Sequence, residues 1–389
     1  MIWRAFLTTF KTIFSDRPAM MLLIGSTVLY SFFYPSAYSG QVATQIPIAV
    51  ADLDNSAPSR ALAVKIEAVQ QSLVVARVHS LREAERLIED GTVTAFVLIP
   101  EGFGDDIRRG RQGKVSLYGN GAYLLRSSAG LSGIANSLGS IAFESAVDQS
   151  RLLGRPAASP LTVIERPLFN TREGYGSTVV PGVVFLILHQ TLFMGLALLA
   201  ATLREKQGWL GFELKSLLGI ALAFFLLGAA EIAYFSGFVF WFQDYPRAQA
   251  EPAVLLIAGA LFVSATVCGA LALGSFFRTR ERPVQIWIVT SLPIYFLSGL
   301  SWPVEAMPSW LAWFSQLFPT TAGIHVMVGV NQMGASLKDI APDLINLAVL
   351  TLAYGGIAIY RLSLRPSGEP VAGAFQAIMS SGAMKHEPD

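Results

Sequence analysis

Three side chains able to carry a proton or bond a polar cargo sit inside apolar runs. His189 and Gln190 lie within the run 178–201, and Glu231 lies within 216–242. Ionisable groups at membrane depth are costly, so they face a partner or a cavity. Ala229, Ala230 and Ala233 flank Glu231, and small residues let helices approach closely. Two readings stay open: Glu231 belongs to a substrate or proton path, or it pairs with a neighbouring helix, with His189 as a candidate partner. Patterns for catalysis are missing from the sequence. It holds neither a His-Glu-x-x-His zinc motif nor a Gly-x-Ser-x-Gly elbow, and its four histidines, at 79, 189, 325 and 386, are scattered. No metal site and no enzyme activity are expected. Asp52, Asp54 and Asn55 could ligate an ion, but Asp, Asn and Ser also favour turns and helix starts, and that is the simpler reading. RRGRQGK (108–114) lacks the first Gly and the Ser/Thr of a phosphate loop. It reads as a solvated turn.

These residues are carried by a membrane-type chain. Of 389 residues, 53% are hydrophobic and 14% charged, against about a quarter charged in soluble domains. A bilayer-crossing helix needs roughly 20 apolar residues. Six stretches qualify: 19–38, 178–201, 216–242, 252–277, 284–301 and 343–361. The fifth is the least regular, with Pro293 inside it and Gly299 near its end. Arg and Lys in short loops set orientation. One side collects eleven (Arg4, Lys11, Arg17, Arg204, Lys206, Lys215, Arg278, Arg280, Arg282, Arg361 and Arg365), the other Arg247 and Lys338. Both termini are therefore expected in the cytoplasm and 39–177 outside. Residues 1–16 place Trp3, Phe6, Leu7, Phe10, Ile13 and Phe14 at helical spacing, which reads as an amphipathic helix on the inner leaflet. The alternative is an extension of the first span.

The stretch 39–177 holds 28 of the 55 charged residues, 14 of each sign. It alternates strand-like runs (46–51, 73–78, 93–99, 115–118) with helical ones (59–71, 81–90, 103–110), a small α/β sandwich. A longer helix is expected over 131–153, a linker over 154–160 and a last strand over 161–166. The expected fold is a polytopic α-helical membrane protein with six transmembrane helices and an inserted extracytoplasmic α/β domain. Its parts are 1–38, the outer domain 39–177, a five-helix domain 178–365 and a cytoplasmic tail 366–389. Trp302, Trp310 and Trp313, with Pro303, Pro308 and Pro319, suit an interface. The segment near 303–321 is read as re-entrant from the outer face, with Trp302, Pro303, Trp310 and Trp313 as an outer gate; a plain interfacial loop is the alternative. Cys268 is the single cysteine, so no internal disulfide forms. No basic face suggests nucleic acid.

Four strings together resemble the ABC-2-type permeases: VADLDNSAPSR (50–60), GTVTAFVLIPEGF (91–103), LFNTREGYGSTVVPG (168–182) and SGLSWPVEAMPSWLAWFSQLFPTT (298–321). The third departs from the usual form, with Thr171 where Pro commonly follows Asn170. The resemblance implies a permease subunit of an ATP-binding-cassette exporter in a bacterial cytoplasmic membrane. Two permease subunits, copies or homologues, would form the path, and a separate ABC ATPase would drive it. No Walker A sequence is present, so this subunit would need no cofactor of its own; ATP and Mg belong to the partner ATPase. The resemblance places ATPase docking on the N-terminal helix and on 203–215, with Arg204, Glu205, Lys206 and Glu213 as charged candidates. The cargo would be amphipathic or lipophilic. In a host with two membranes the outer domain would dock a periplasmic adaptor. The competing readings are a sensing or force-transmitting subunit that moves no cargo and a non-catalytic assembly factor.

Overall fold

The computed structural model describes residues 1–37, 45–69, 72–109, 111, 113–119, 134–135, 139, 175–207, 211–245, 247, 251–302 and 304–364. The expected linker 154–160, strand 161–166, residues 168–174 with Thr171, Pro303 and the tail 366–389 lie outside these. So does most of the helix expected over 131–153. In chain order, α1 is Ile2–Ser15 and α2 is Arg17–Ala37; β1 (Ile46–Asp52), α3 (Ala57–Glu67), β2 (Ser72–Val78), α4 (Leu81–Glu89), β3 (Ala95–Ile99), α5 (Phe103–Arg108) and β4 (Ser116–Gly119) follow. Then come α6 (Tyr175–Gln207), α7 (Leu214–Phe242), α8 (Pro252–Gly274), α9 (Glu281–Leu297), α10 (Ser309–Ser315), α11 (Pro319–Met333) and α12 (Ala341–Leu364). The chain divides into two compact units, Gly40–Arg166 and the remainder, Met1–Ser39 with Pro167–Asp389.

The smaller unit is a four-stranded sheet in the order β2-β1-β3-β4. β1 runs parallel to both β2 and β3, and β4 pairs antiparallel with β3. A strand covered on both faces reads as a continuous apolar run, and β1 does. Ile46, Ile48 and Val50 pack with Leu62, Ala63 and Ile66 of α3 and with Phe103, while Ala49 and Ala51 pack with Val78, Ala84 and Phe96. The alternation expected from sequence is present, with α3 starting and stopping earlier than 59–71. Its start explains the acidic cluster. Asp52 Oδ1 accepts the N–H groups of Asp54 (3.1 Å) and Asn55 (2.9 Å), and Asp52 Oδ2 accepts the Ser59 hydroxyl at 2.8 Å. Ser56 caps α3 by accepting from Ser59 N at 3.2 Å. Asp54 reaches across to the turn before α5, accepting from Gly102 N and Gly104 N, each at 2.8 Å. A Cβ at Gly104 would stand 2.3 Å from Ser56 Oγ, so only Gly lets the two turns close. In 108–114, Arg108 pairs with Asp105, and Arg111 pairs with Asp106 at 2.6 Å.

In the larger unit five helices are long and apolar enough to cross a membrane: α2, α6, α7, α8 and α12. The fifth expected stretch, 284–301, departs from the expectation of six such spans. α9 has 17 residues, about 25 Å at 1.5 Å per residue, short of a ~30 Å hydrocarbon core. It is cut off by a reversal at Gly299, whose φ of 82° suits only glycine comfortably. Two helices follow it, α10 and α11, the second running past the segment 303–321 expected to re-enter. α11 occupies Pro319–Met333 and is buried along most of its length, from Pro319 to Gln332. Pro319 opens it and Gly334, at φ 65°, closes it, the usual asymmetry of helix ends.

The N-terminal helix is separate from the first span. Asp16 breaks the helix with extended backbone, then caps α2 by accepting from Ala19 N at 3.3 Å. α1 buries Ala5, Phe6, Thr9 and Ile13 and exposes Trp3, Leu7 and Phe14. Gly219 of α7 is its seat: a Cβ there would lie 2.4 Å from the Ile2 carbonyl oxygen and 2.8 Å from Ala5 Cβ. Gly219→Val should therefore displace α1 while α7 still forms, at a cost of about 1–3 kcal/mol. Limited proteolysis around Ser15 and Asp16 and the thermal midpoint of the purified protein check this.

In the smaller unit, the Ser56 hydroxyl first, then the Gly104 and Gly102 N–H groups, hold the Asp54 carboxyl below its ordinary value of 3.8. A depressed folded value means the stabilisation exists above the ordinary carboxylate range and is lost as pH falls through the depressed value. Asp54→Ala should raise hydrogen exchange across 52–60 and 100–108 at neutral pH. The difference from wild type should shrink on strong acidification.

Candidate functional site

Three polar constellations stand out in the helical unit. The first joins α2 to α7. Thr27 Oγ1 is hydrogen-bonded to Glu231 Oε1 at 3.2 Å, and one turn along, the Ser31 and Tyr234 hydroxyls are 2.9 Å apart. Gln243 Nε2 continues the line, donating to Ser31 O at 3.4 Å. A π-helical turn precedes Thr27 in α2 (Met21–Gly25), and another begins at Tyr234 in α7 (Tyr234–Val239). Such turns rotate the following side chains relative to a regular helix and recur at functional positions. Glu231 is 5% exposed, and its Oε2 has no hydrogen-bond partner among the described residues.

His189 is not the partner of Glu231. Its ring lies among aromatic rings: Phe193 at 5.4 Å, Phe262 at 6.3 Å and Trp287 at 6.3 Å between centroids. Neither ring nitrogen has a hydrogen-bond partner among the described residues. An unpaired buried polar group costs about 1–3 kcal/mol. Gln190, the next residue, is half-buried. The two sequence candidates thus belong to different places, one in a polar seam and one in an aromatic cluster joining α6, α8 and α9.

The second constellation gathers helix ends. Arg204, near the end of α6, donates to Ser275 O at 2.8 Å and to Phe277 O at 3.4 Å. Arg361 of α12 donates to Ser275 Oγ at 2.8 Å and to Ser275 O at 3.4 Å. Both satisfy the end of α8, where carbonyls lack intrahelical donors and cations are favoured. Glu205 Oε2 accepts from Arg280 N at 2.7 Å, ahead of α9. Arg280 also pairs with Asp16 at 3.3 Å, at the start of α2. The connection between α6 and α7 is held to the end of α12 by Phe212 N donating to Leu362 O at 2.7 Å. The start of α2, the ends of α6, α8 and α12 and the start of α9 therefore meet at one end of the bundle. Of the four docking candidates, Arg204 and Glu205 are spent on these internal bonds. Glu213 is exposed at the head of α7, and the side chain of Lys206 lies outside the described residues.

The third constellation surrounds α11. His325 lies close to Gly299, where a Cβ would be 3.0 Å from His325 Nε2, and its Nδ1 is 4.0 Å from Asp343 Oδ1. Thr321 donates to Leu297 O at 3.2 Å, and Asn346 Nδ2 donates to Gln316 O at 3.2 Å. Tyr354 donates to Leu317 O at 2.5 Å. A Cβ on Gly323 would penetrate the Phe262 ring, at 2.1 Å from its Cδ2. Trp302, Trp310 and Trp313, the expected gate residues, are at the surface of the described chain, at 55%, 70% and 69% exposure. His325, Thr321 and Asn346 were not singled out from sequence. The signal was present in the Pro319 and Gly334 punctuation, but Thr, His, Asn and Gln dilute the apolar run.

Residues 18–360 match the model of the ABC-2 family transporter proteins. The chain belongs to that family. It is a membrane transport protein of the permease kind, and its resemblance to the family in four strings extends over most of its length. Curated relatives carry the name inner membrane transport permease YhhJ, in Escherichia coli (strain K12) and in Shigella flexneri. Each is 22% identical over 371 residues, covering 90% of this chain and 94% of the relative. In this ABC-2 family transporter protein, the seam between α2 and α7 yields a direct test. Glu231→Gln keeps an acceptor toward Thr27 and should leave the melting of the detergent-purified protein unchanged. Glu231→Ala should lower stability by about 1–3 kcal/mol. Lost transport in the Gln form with unchanged melting would assign the carboxylate a chemical part.

Proposed function

We propose that this protein is the permease subunit of an ATP-binding-cassette exporter in a bacterial inner membrane. It works as a dimer, with a second copy or a homologue, and a separate ATPase binds ATP and Mg. In this reading α2, α6, α7, α8, α9 and α12 make six passes. The end with Arg204, Arg280 and Arg361 faces the cytoplasm, in keeping with the Lys and Arg bias, and the sheet unit lies outside. α9, like α2 and α12, is a weakly covered pass. Its exposed face carries Gln285 and Pro293 beside Ile288 and Val289, and an amide there suits a protein neighbour or a wet path better than lipid. That supports α9 as the side facing the second subunit.

The observation that carries the reading is the bonding of 203–215 to other helix ends. Arg204 reaches Ser275, Glu205 reaches Arg280 N and Phe212 reaches Leu362. A motor pressing on this connection would move α6, α8, α9 and α12 together. Docking would use the exposed face of α1 and the exposed residues Glu213, Leu214, Lys215 and Leu218, with Lys206 as a further contact. Arg204 and Glu205 would pass the motion on. Closure of the motors would draw the cytoplasmic helix ends together and open the path outward to an amphipathic or lipophilic cargo. In an envelope with two membranes, the outer unit would meet an adaptor.

The test is ATP-dependent uptake into inverted vesicles holding both subunits. Glu213→Lys should cut coupled uptake about tenfold while the protein stays inserted and thermally unchanged. Glu205→Lys should lower uptake and melting together, because it removes the acceptor at Arg280 N. Unchanged coupling in Glu213→Lys counts against the docking surface. ATP hydrolysis without movement of any amphipathic cargo would favour a force-transmitting subunit.

A further inference from the structure

The meeting of helix ends leaves positive charge unanswered. A guanidinium has five N–H donors. Those of Arg204 and Arg361 that are bonded go to neutral oxygens, and both converge on Ser275. Arg278 is exposed, and its charge and that of Arg361 both bear on Arg204. Two carboxylates at this end are turned to another residue: Glu205 accepts from the Arg280 backbone and Asp16 pairs with the Arg280 side chain, while Glu281 and Glu213 are exposed. Among the described residues no carboxylate bonds Arg204, Arg278 or Arg361. Three like charges held together without a counter-charge repel one another, and the arrangement is favourable once an anion joins them.

The surroundings select the anion. The Arg361 guanidinium lies 3.8 Å over the Phe276 ring, and Phe276 is 54% exposed. Leu273, three residues before Phe276, and Leu364, three after Arg361, are also exposed. The guanidiniums thus sit at the ends of membrane-length helices, near exposed apolar side chains. A soluble phosphate would use the charges and leave this surface bare. A phospholipid would use both, with its phosphate in the bidentate grip that guanidinium favours and its acyl chains along Phe276, Leu273 and Leu364. Basic clusters at the cytoplasmic ends of spans attract anionic lipids in this way.

We propose that Arg204, Arg278 and Arg361 form a binding site for the phosphate of an anionic phospholipid, seated against the exposed end of α8 and α12. The proposal rests on the reading that this bundle spans a bilayer. The occupant would neutralise the joint that ties α6, α8 and α12, so lipid charge would bear on the same connection that the ATPase presses.

The test uses the full chain extracted from membranes containing phosphatidylglycerol, with bound lipid counted by native mass spectrometry. Arg278 makes no described bond, so Arg278→Gln should fold normally and lose lipid about fivefold, and Arg278→Gln with Arg361→Gln should lose it about twenty-five-fold, following the roughly one factor of five expected per basic residue. Arg361→Lys should fall between, since it keeps charge without the fork. Soluble glycerophosphate should compete poorly, and equal competition by it would overturn the lipid assignment in favour of a free phosphate. Unchanged lipid retention in the double variant would overturn the site. Loss of ATPase co-purification in these variants with lipid retention unchanged would assign the cluster to protein docking instead. Resistance of the chain to carbonate extraction, measured on the same membranes, tests the spanning reading separately. If that resistance is lost, the spanning reading fails and the lipid site with it; if it is kept while lipid retention is unchanged, the lipid site fails alone.

Discussion

The hydrogen bonds that Arg204 and Arg361 give to Ser275 hold the helical unit at one end. α8 is, after α6, the most enclosed of the long helices, with Ala258, Phe262, Val263 and Ala265 wholly buried. Its last carbonyls would be left without donors. Two arginines from different helices satisfy them, and their charge suits the negative end of the helix dipole. Because those arginines belong to α6 and α12, satisfying one helix end also fixes the relative height of three. Glu205 and Asp16 extend the same joint through Arg280 to α9 and α2. Motion at this end is therefore shared among helices rather than confined to one.

Away from that joint, contact between helices depends on smallness more than on polarity. Gly219 admits α1, Gly228 admits Leu192 and Val263, and Gly323 admits Phe262. Within an apolar bundle close packing is the main attraction left, because lipid tails are as apolar as the side chains. The polar seam between α2 and α7 is the exception, with Thr27, Ser31, Glu231 and Tyr234 in register. A π-helical turn ends just before Thr27 in α2 and another begins at Tyr234 in α7, so backbone irregularities flank the polar residues on either side. The aromatic cluster around His189 occupies a separate place. It joins α6 to α8 and α9, a sparsely covered helix.

Much of the fold could be read from residue patterns. The strands of the smaller unit were plain because β1 and β3 are short apolar runs bounded by turn formers, and Ser56 and Ser80 mark the helices between them. The acidic cluster at Asp52 and Asp54 read as turn chemistry, and its carboxylates do close turns. Five long helices followed from length and apolarity. The fifth stretch, expected over 284–301, sits earlier as α9 over Glu281–Leu297, because hydropathy carries through Ser298 and Gly299 while the backbone reverses at Gly299. α11 was missed for the opposite reason. Its Thr, His, Asn and Gln lower the apolar signal, yet contacts with Leu297, Gly299 and Phe262 bury it.

The sequence alone determined which segments are apolar enough to leave water, which side of the layout collects Arg and Lys, and where the sheet unit interrupts the helices. Those are properties of composition along a line, and transfer energy and turn preference follow from local residues. Tertiary structure alone decided the partners. Glu231 meets Thr27 rather than His189, Arg204 and Glu205 bond the end of α8 and the start of α9, and Trp310 and Trp313 stay at the surface while His325 is half-buried beside Gly299. Partner choice depends on which helix faces close across tens to hundreds of residues, and a single sequence carries no term for that distance.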